Sequence, residues 1–381
     1  MGTQRHIIDP HGDTIITLRN PNAPFAVPSG NEDFYGSASI PKSGAKRKRK
    51  PTDDNGANPG EEPAASRARI EDGPSTAAEK RTQSVTKLPE VPEIDFQVSS
   101  AHLKLVSPYF RAALDGPFRE SQQAADGLRH VEASGWDTNA ILIVMRIIHG
   151  QNRFVPGQLQ PEMRAKVAVI VDYYQCREAL VAFVELWRLS LGDYLTPTMP
   201  GRDLVMALLP CWVFRWADEF KKVSEQLMLR SRKPINPQGL PIPESILLTI
   251  ERKRRNSAIE MTQTIDRLLE CFRREPPICS FECASTKLGA LERELLHKEE
   301  LQFYEKEDKK YVGYSITASI KAMREIRCPN CANYSRCTGG KSVEIEVAKL
   351  GAPAGLDLQT FVQPTQGYIG NVEFVEPSGL W

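Results

Sequence analysis

The chain has 381 residues, of which 41% are hydrophobic, and this is enough apolar material for two or three domains with buried cores. The formal net charge of +1 at pH 7 argues against a protein that binds polyanions over its whole surface. The N-terminal residues lack the apolar segment of a signal peptide, and the longest apolar run, residues 140–145 resuming at Ile147, is too short to span a membrane. We therefore expect an intracellular protein, where cysteines stay reduced or bind metal.

The first predicted element is a strand over residues 14–18, which follows a turn at residues 10–12. Ile15, Ile16 and Leu18 supply the apolar side chains that favour a strand. A polar insert then extends over residues 21–93. It is rich in Pro, Gly, Ser, Ala and charged residues, so it cannot bury enough apolar surface to offset the entropy of ordering. We predict that this insert is disordered.

A dense basic cluster lies inside the insert and consists of Lys46, Arg47, Lys48, Arg49 and Lys50. An extended basic cluster suits the acidic grooves of a nuclear-import receptor, which predicts a nuclear or nucleo-cytoplasmic protein. The same charges would also keep a linker soluble, and that alternative stays open. Direct nucleic-acid binding is disfavoured, because the cluster has no folded frame to place its side chains in a groove.

Residues 94–121 are predicted to form a strand and two helices. Phe96 and Val98 alternate with polar neighbours, as in a half-buried strand. A second helix begins at Ser107 and Pro108, because serine caps free N–H groups and proline tolerates the first helical position. The sequence Asp-Gly-Pro at residues 115–117 ends that helix.

This stretch resembles the core signature of the BTB/POZ domain, which is Phe-x-Val-His, then Leu-x-x-x-Ser-x-x-Phe, then an aromatic residue before x-Glu-Ser. The matching residues here are Phe96, Val98, Leu103, Ser107, Phe110, Phe118, Glu120 and Ser121. One position departs from the pattern, since Ser99 stands where the family has His. Asp13 matches the Asp that leads the family's first strand, so the resemblance implies that strands 14–18 and 94–98 pair across the insert. Extending such a loop from about 5 to about 75 residues costs only about 2.4 kcal/mol.

The resemblance also implies a function in protein–protein interaction, with self-association as a homodimer and the presentation of partners. Cullin-type ubiquitin-ligase adaptors of the family use a hydrophobic-x-Glu motif, and Phe118 and Glu120 match it. An ordinary aromatic residue at a helix end beside a solvated glutamate gives the same short pattern. We predict that the protein is not an enzyme, because the chain contains no Gly-x-Ser-x-Gly, His-Glu-x-x-His or dinucleotide-binding fingerprint.

The remaining chain is predicted to be mainly helical, giving an α+β fold class. After a strand at 128–131, helices are expected at 136–148 and 161–174, and the latter is followed by a segment that resembles the end of fungal BTB domains. We place the BTB/POZ domain at residues 7–20 plus 94–191 and a helical C-terminal domain at 195–340. Pro210 is expected to interrupt its first helices, and the four aromatic residues there to pack in a core rather than bind a cofactor.

Two further structural features are predicted in the C-terminal part. Alternation of Val343, Ile345 and Val347 with glutamates indicates one strand in an otherwise extended tail over residues 341–381. A long helix from Glu244 carries the basic quartet 252–255, which we interpret as a solvated helix face.

The cysteines suggest a structural metal. Two pairs, Cys279 with Cys283 and Cys328 with Cys331, could present four thiolates to a tetrahedral Zn²⁺. The alternative is a set of free or buried thiols that pack a helical tail, with no cofactor. A zinc-stabilised tail together with the basic cluster supports a second functional hypothesis, a nuclear regulatory or nucleic-acid-associated factor.

Overall fold

The computed structural model describes residues 4–27, 93–196, 198–274, 279–305, 313–327 and 339–362, together with residues 329, 331 and 337. A small mixed sheet precedes a series of helices, which confirms the predicted α+β class. The basic cluster at 46–50, most of the predicted disordered insert, Cys328 and residues 363–381 of the predicted extended tail lie outside the described residues. None of the described helices is both long and apolar enough to span a membrane.

The sheet contains four strands, and they are β1 (Gln4–Ile7), β2 (Thr14–Arg19), β3 (Ile94–Val98) and β4 (Arg129–Ser134). Their order is β1-β3-β2-β4. Strand β2 runs antiparallel to β3, with Ile16 opposite Phe96, so the predicted pairing across the insert is confirmed. Strand β1 is parallel to β3, and β4 is parallel to β2.

The α-helices of the described residues are α1 (Ser100–Val106), α2 (Pro108–Asp115), α3 (Thr138–Ile148), α4 (Pro161–Tyr174), α5 (Val181–Leu189), α6 (Leu191–Tyr194), α7 (Gly201–Val213), α8 (Ala217–Arg230), α9 (Glu244–Arg273), α10 (Phe281–His297), α11 (Ile316–Arg324) and α12 (Gly339–Ala348). The predicted cap of α2 is confirmed, since the Ser107 hydroxyl accepts a hydrogen bond from the Phe110 N–H at 3.0 Å. The same hydroxyl donates to the Tyr174 carbonyl at 2.5 Å, which ties α2 to the end of α4. Asp137 caps α3 by accepting from two backbone N–H groups.

Two predictions of secondary structure were wrong. The predicted strand around Val343 is helix α12, because Val343, Val347 and Leu350 also fit helical spacing and are buried against other helices. Helix α7 continues through Pro210 and ends only at Val213. Every residue from Leu204 to Cys211 is buried. The free energy of this apolar burial offsets the loss of the backbone hydrogen bond that proline cannot donate.

The buried side chains form two hydrophobic cores. The first core contains the sheet, residues from α1 to α8, the start of α9 at Ile246 and Ile250, and two leucines of the C-terminal segment, Leu356 and Leu358. It includes Phe214, Trp216 and Phe220, which confirms core packing for these aromatic residues, and Trp212 packs against it. The second core contains the later part of α9, from Ala258 to Phe272, with α10, α11 and α12. Helix α9 therefore contributes to both cores.

The polar insert begins later than predicted. Ala26 is buried in the first core and Phe25 packs against it. The Arg202 guanidinium donates hydrogen bonds to the carbonyl oxygens of both residues, at 3.1 and 3.2 Å. The prediction of disorder was therefore wrong for these residues.

The basic quartet on α9 is not uniformly solvated. Arg254 is only 1% exposed, while Arg252 and Arg255 are exposed as predicted. Arg254 forms a 2.9 Å ion pair with Glu251 and donates to the carbonyl oxygens of Ser231 and Lys233. The interpretation as a solvated face was wrong for Arg254, because it satisfies the backbone of the segment between α8 and α9.

Candidate metal centre and interaction surface

Four cysteines that are far apart in sequence lie together beside the second core. Cys279 directly precedes α10 and Cys283 lies in its first turn. Cys331 and Cys337 lie between α11 and α12. One sulfur atom from each residue takes part, and the four sulfurs lie within 4.8 Å of one another. This cluster could hold a metal ion, and we call it the four-cysteine centre.

The spacing of the sulfurs fits a tetrahedral ion. Four sulfurs at about 2.3 Å from a zinc ion lie about 3.8 Å from each other. The distance from Cys279 Sγ to Cys331 Sγ is 3.6 Å, and the distance from Cys283 Sγ to Cys337 Sγ is also 3.6 Å. Thiolates are the donors that structural zinc sites prefer, and four of them leave no open position for catalysis.

The pKa values of Cys279 and Cys283 are raised, so a bound metal would be needed to favour their thiolate forms. Burial and the neighbouring thiols of Cys331 and Cys337 raise the pKa of Cys283 to about 12. The contact with Cys331 also raises the pKa of Cys279. The thiols of Cys279 and Cys283 are therefore protonated at neutral pH without a metal, and binding of a divalent cation at these two residues has to release protons.

The local backbone holds the cysteines in place. The Ser280 hydroxyl caps α10 by accepting a hydrogen bond from the Cys283 N–H at 3.2 Å. Lys287 follows Cys283 by one helical turn and is only 4% exposed. Its ammonium donates to the Pro329 carbonyl at 2.8 Å, which fixes the segment before Cys331 against α10. A cationic side chain one turn from Cys283 also suits a tetrathiolate metal centre, which carries a net charge of −2.

The structure brings together three of the four predicted metal ligands, Cys279, Cys283 and Cys331. The fourth sulfur comes from Cys337, which the predicted set did not include, while Cys328 lies outside the described residues. The close spacing of Cys331 and Cys337 in the sequence was the available signal. It is not a typical knuckle spacing, so the nearer pair of 328 and 331 was preferred.

The second candidate site is the turn that follows α2. Phe118 is 53% exposed and begins a 3₁₀ turn over Arg119–Ser121. Its carbonyl accepts hydrogen bonds from the Ser121 hydroxyl at 2.7 Å and the Ser121 N–H at 3.2 Å. A Cβ atom at Gly116 would lie 2.9 Å from the Phe118 ring, so glycine allows the ring to lie against the backbone. The ring is thus held at the surface in a defined position.

Three further aromatic side chains form a cluster near Glu120. Glu120 is half-buried, and burial, the Tyr173 hydroxyl and the charge of Glu120 raise the pKa of Tyr109 to about 12. The hydroxyl oxygens of Tyr109 and Tyr173 are 3.4 Å apart, and the Trp136 ring centroid is 5.4 Å from that of Tyr173. We call Tyr109, Phe118, Glu120, Trp136 and Tyr173 the aromatic surface. Sequence reasoning missed the two tyrosines and the tryptophan as site residues, because they are distant in the chain from the Phe118 motif.

Ser99, which departs from the BTB signature, has a clear local role. Its hydroxyl caps α1 by accepting from the His102 N–H at 3.5 Å, and its N–H donates to His149 Nε2 at 3.0 Å. The neighbouring Ser100 donates to the Asp13 carboxylate from its N–H and its hydroxyl, each at 2.7 Å. The start of α1 is thereby connected to Asp13, which directly precedes β2, and to His149 at the end of α3.

Comparison of the chain with protein-family models, with curated proteins and with solved structures gives no match. The resemblance to BTB/POZ domains therefore stays a prediction. The four-cysteine centre and the aromatic surface are the features of the described residues on which function can be argued.

Proposed function

We propose that the protein is a non-enzymatic adaptor of the BTB/POZ type, which binds other proteins and recruits them to a cullin-type ubiquitin ligase. The observation that carries this proposal is the exposed Phe118 beside Glu120, held by the turn after α2. These two residues correspond to the hydrophobic-x-Glu motif of the family's adaptors. Self-association of the BTB region as a homodimer is part of the same proposal.

The physical character of the aromatic surface supports a protein partner. Tyrosine, tryptophan and other aromatic residues supply large contact area at low entropic cost and are enriched among residues that dominate binding energy. Tyr173 is 50% exposed and lies at one side of this surface. A carboxylate such as that of Glu120 adds orientation, because it favours a basic or hydrogen-bond-donating group on the partner.

The test is co-purification with a cullin. We expect the double variant Phe118→Ala and Glu120→Ala to lose the cullin, with affinity reduced by about thirtyfold or more, as for the loss of a hot spot of about 2 kcal/mol. The matched control is Glu244→Ala and Leu248→Ala, which removes an exposed acid and an exposed apolar residue one turn apart on α9. Equal cullin recovery from both double variants would contradict the proposal.

The four-cysteine centre supports a second candidate function. We infer that Cys279, Cys283, Cys331 and Cys337 bind one structural Zn²⁺, which when bound contributes folding energy and no catalysis. A zinc-stabilised region together with the basic cluster at 46–50 gives a nuclear regulatory or nucleic-acid-associated factor, imported by a receptor that binds that cluster.

This alternative is tested on a heparin or DNA column. A nucleic-acid-associated factor is retained, elutes earlier with rising salt, and loses retention when residues 41–52 are deleted. An adaptor without nucleic-acid affinity elutes in the unbound fraction at physiological salt. The two candidate functions thus give opposite results on the same column.

A further inference from the structure

Two sulfur–sulfur contacts in the four-cysteine centre have the same length. Cys279 lies 3.6 Å from Cys331, and Cys283 lies 3.6 Å from Cys337. Each pair joins the start of α10 to the connection between α11 and α12. A disulfide needs its sulfurs at about 2.05 Å, so each pair requires an approach of only about 1.5 Å.

Access separates these four cysteines from the deeply buried ones. All four members of the centre are half-buried, whereas Cys176 and Cys211 are fully buried in the first core. Cys271 on α9 is as accessible as the four, yet its sulfur is not part of the group. Cys271 therefore serves as an internal reference for an accessible thiol that has no sulfur partner among the residues the structure describes.

We propose that the four-cysteine centre releases its metal on oxidation. A peroxide oxidant links Cys279 to Cys331 and Cys283 to Cys337, and the two disulfides expel the metal. The inference concerns the regulation of the centre and rests on the zinc site proposed above. Oxidised and metal-bound forms keep the same two segments joined, because both disulfides follow the connections that the metal makes.

The chemistry balances with hydrogen peroxide as the oxidant. In each pair one thiolate attacks a peroxide oxygen, the O–O bond breaks, and the sulfenic acid formed condenses with the second sulfur to a disulfide. Two peroxide molecules take four electrons from four thiolates, and with four protons they give two disulfides, four water molecules and one free Zn²⁺. The centre changes from a net charge of −2 to a neutral cross-link, so the cation loses its ligands.

The experiment uses the full chain loaded with zinc and treated with hydrogen peroxide. Released zinc is measured with a chromogenic chelator, and disulfides are mapped by mass spectrometry after free thiols are blocked. We expect one zinc released for every two disulfides, in the pairs Cys279–Cys331 and Cys283–Cys337, and recovery of zinc binding after reduction. Cys271→Ser is the control and should change neither the stoichiometry nor the pairs.

Release of zinc with other pairs, such as Cys279–Cys283, or with bonds to Cys271 or Cys328, would overturn the proposal, and so would release with sulfinic acids in place of disulfides. A variant test sharpens it further. In Cys331→Ser we expect only the Cys283–Cys337 bond and a reduced Cys279, whereas a new bond between Cys279 and Cys283 would contradict pairing set by the fold.

Failure of the zinc proposal and failure of the proposed disulfide pairing can be distinguished. If the reduced chain binds no zinc, the zinc proposal fails, and the metal-free chain is then oxidised in the same way. The two named disulfides in that sample would support the preset pairing without a metal, and scrambled disulfides would reject it.

Discussion

The two hydrophobic cores differ in the elements that build them and in what lies beside them. The first core is built from the sheet, from the helices α1 and α2 between β3 and β4, and from helices that follow β4. Large side chains such as Trp187, Phe96 and Phe110 are fully buried in it. The second core has fewer elements, no strand among the described residues, and the four-cysteine centre at its side. A small core buries less apolar surface per residue, and proteins commonly offset this with a metal or disulfides. From this comparison we predict that apolar packing suffices for the first core and that a cross-link adds stability to the second.

The two cores share helix α9, and Arg254 lies between their contributions to it. Ile250 belongs to the first core and Ala258 to the second. The buried guanidinium of Arg254 binds Glu251 and the backbone that leads into α9. The two cores are thus connected through one helix. Hydrogen exchange in the helices and strands of each core can report on the stability of that core.

Removal of the metal should have an effect that is confined to the second core. Chelation of zinc, or Cys283→Ser, is expected to speed hydrogen exchange in α10, α11 and α12 by about a hundredfold or more, because the metal supplies folding energy there. Exchange in β2, β3 and α4 should stay unchanged. Cys271→Ser is the matched control, and uniform loss of protection across both cores would contradict the comparison.

A cavity in the first core should have the opposite distribution. Phe110 is fully buried and stacks on Tyr174 with ring centroids 4.5 Å apart. Phe110→Ala should lower the free energy of unfolding by about 3–5 kcal/mol, through lost burial and the cavity left behind. Zinc content per chain should not change. Loss of zinc in this variant would show that the cores do not fold separately.

Substitution of Arg254 tests the connection between the cores. Arg254→Met keeps the apolar stem but removes the ion pair with Glu251 and the hydrogen bonds to the carbonyls of Ser231 and Lys233. We expect a loss of about 2 kcal/mol in chemical denaturation, as for lost hydrogen bonds to a charged group. The exposed neighbour Arg255→Met is the control, and an equal loss there would contradict the assignment.

A smaller effect is expected from pH at the edge of the first core. Burial lowers the pKa of His149, as does the charge of His102, while the charge of Asp9 and the hydrogen bond to the Met145 carbonyl oppose the shift. A histidine with a lowered pKa binds fewer protons in the folded state than in the unfolded state. The free energy of unfolding should therefore fall as the pH drops below about 6.5.

The variant His149→Gln should lose this part of the pH dependence, measured as the slope of unfolding free energy between pH 7 and pH 5. The control is His130→Gln, because His130 lies at the surface and pairs with Asp126. An unchanged slope in the His149 variant would show that its ring titrates alike in both states.

The local rules of the sequence predicted much of the first core. Apolar residues in 14–18 and alternation in 94–98 identified two strands, and Ser107 with Pro108 located the start of α2. The strand predicted near Val343 failed because Val343 and Val347 satisfy both a period of two and a spacing of four, and only burial against the second core decides between them. Helix α7 passed Pro210 because burial on all sides outweighs a local rule.

The sites could be predicted only in part, since they depend on contacts between distant residues. Three cysteines of the centre were identified from their spacing, but Cys337 enters through the fold. Tyr109 and Tyr173 are 64 residues apart in the chain, and no local pattern links them to each other or to Phe118. Burial of Arg254 similarly follows from the path of the segment before α9, which composition does not reveal.

The most direct test of this account is native mass spectrometry of the full chain purified with zinc in the buffer. We predict one zinc ion per chain in the folded charge states, retained in Cys271→Ser and absent in Cys337→Ser. A folded chain without zinc, or a Cys337→Ser variant that keeps its zinc, would contradict the claim that these four cysteines close the second core around a metal.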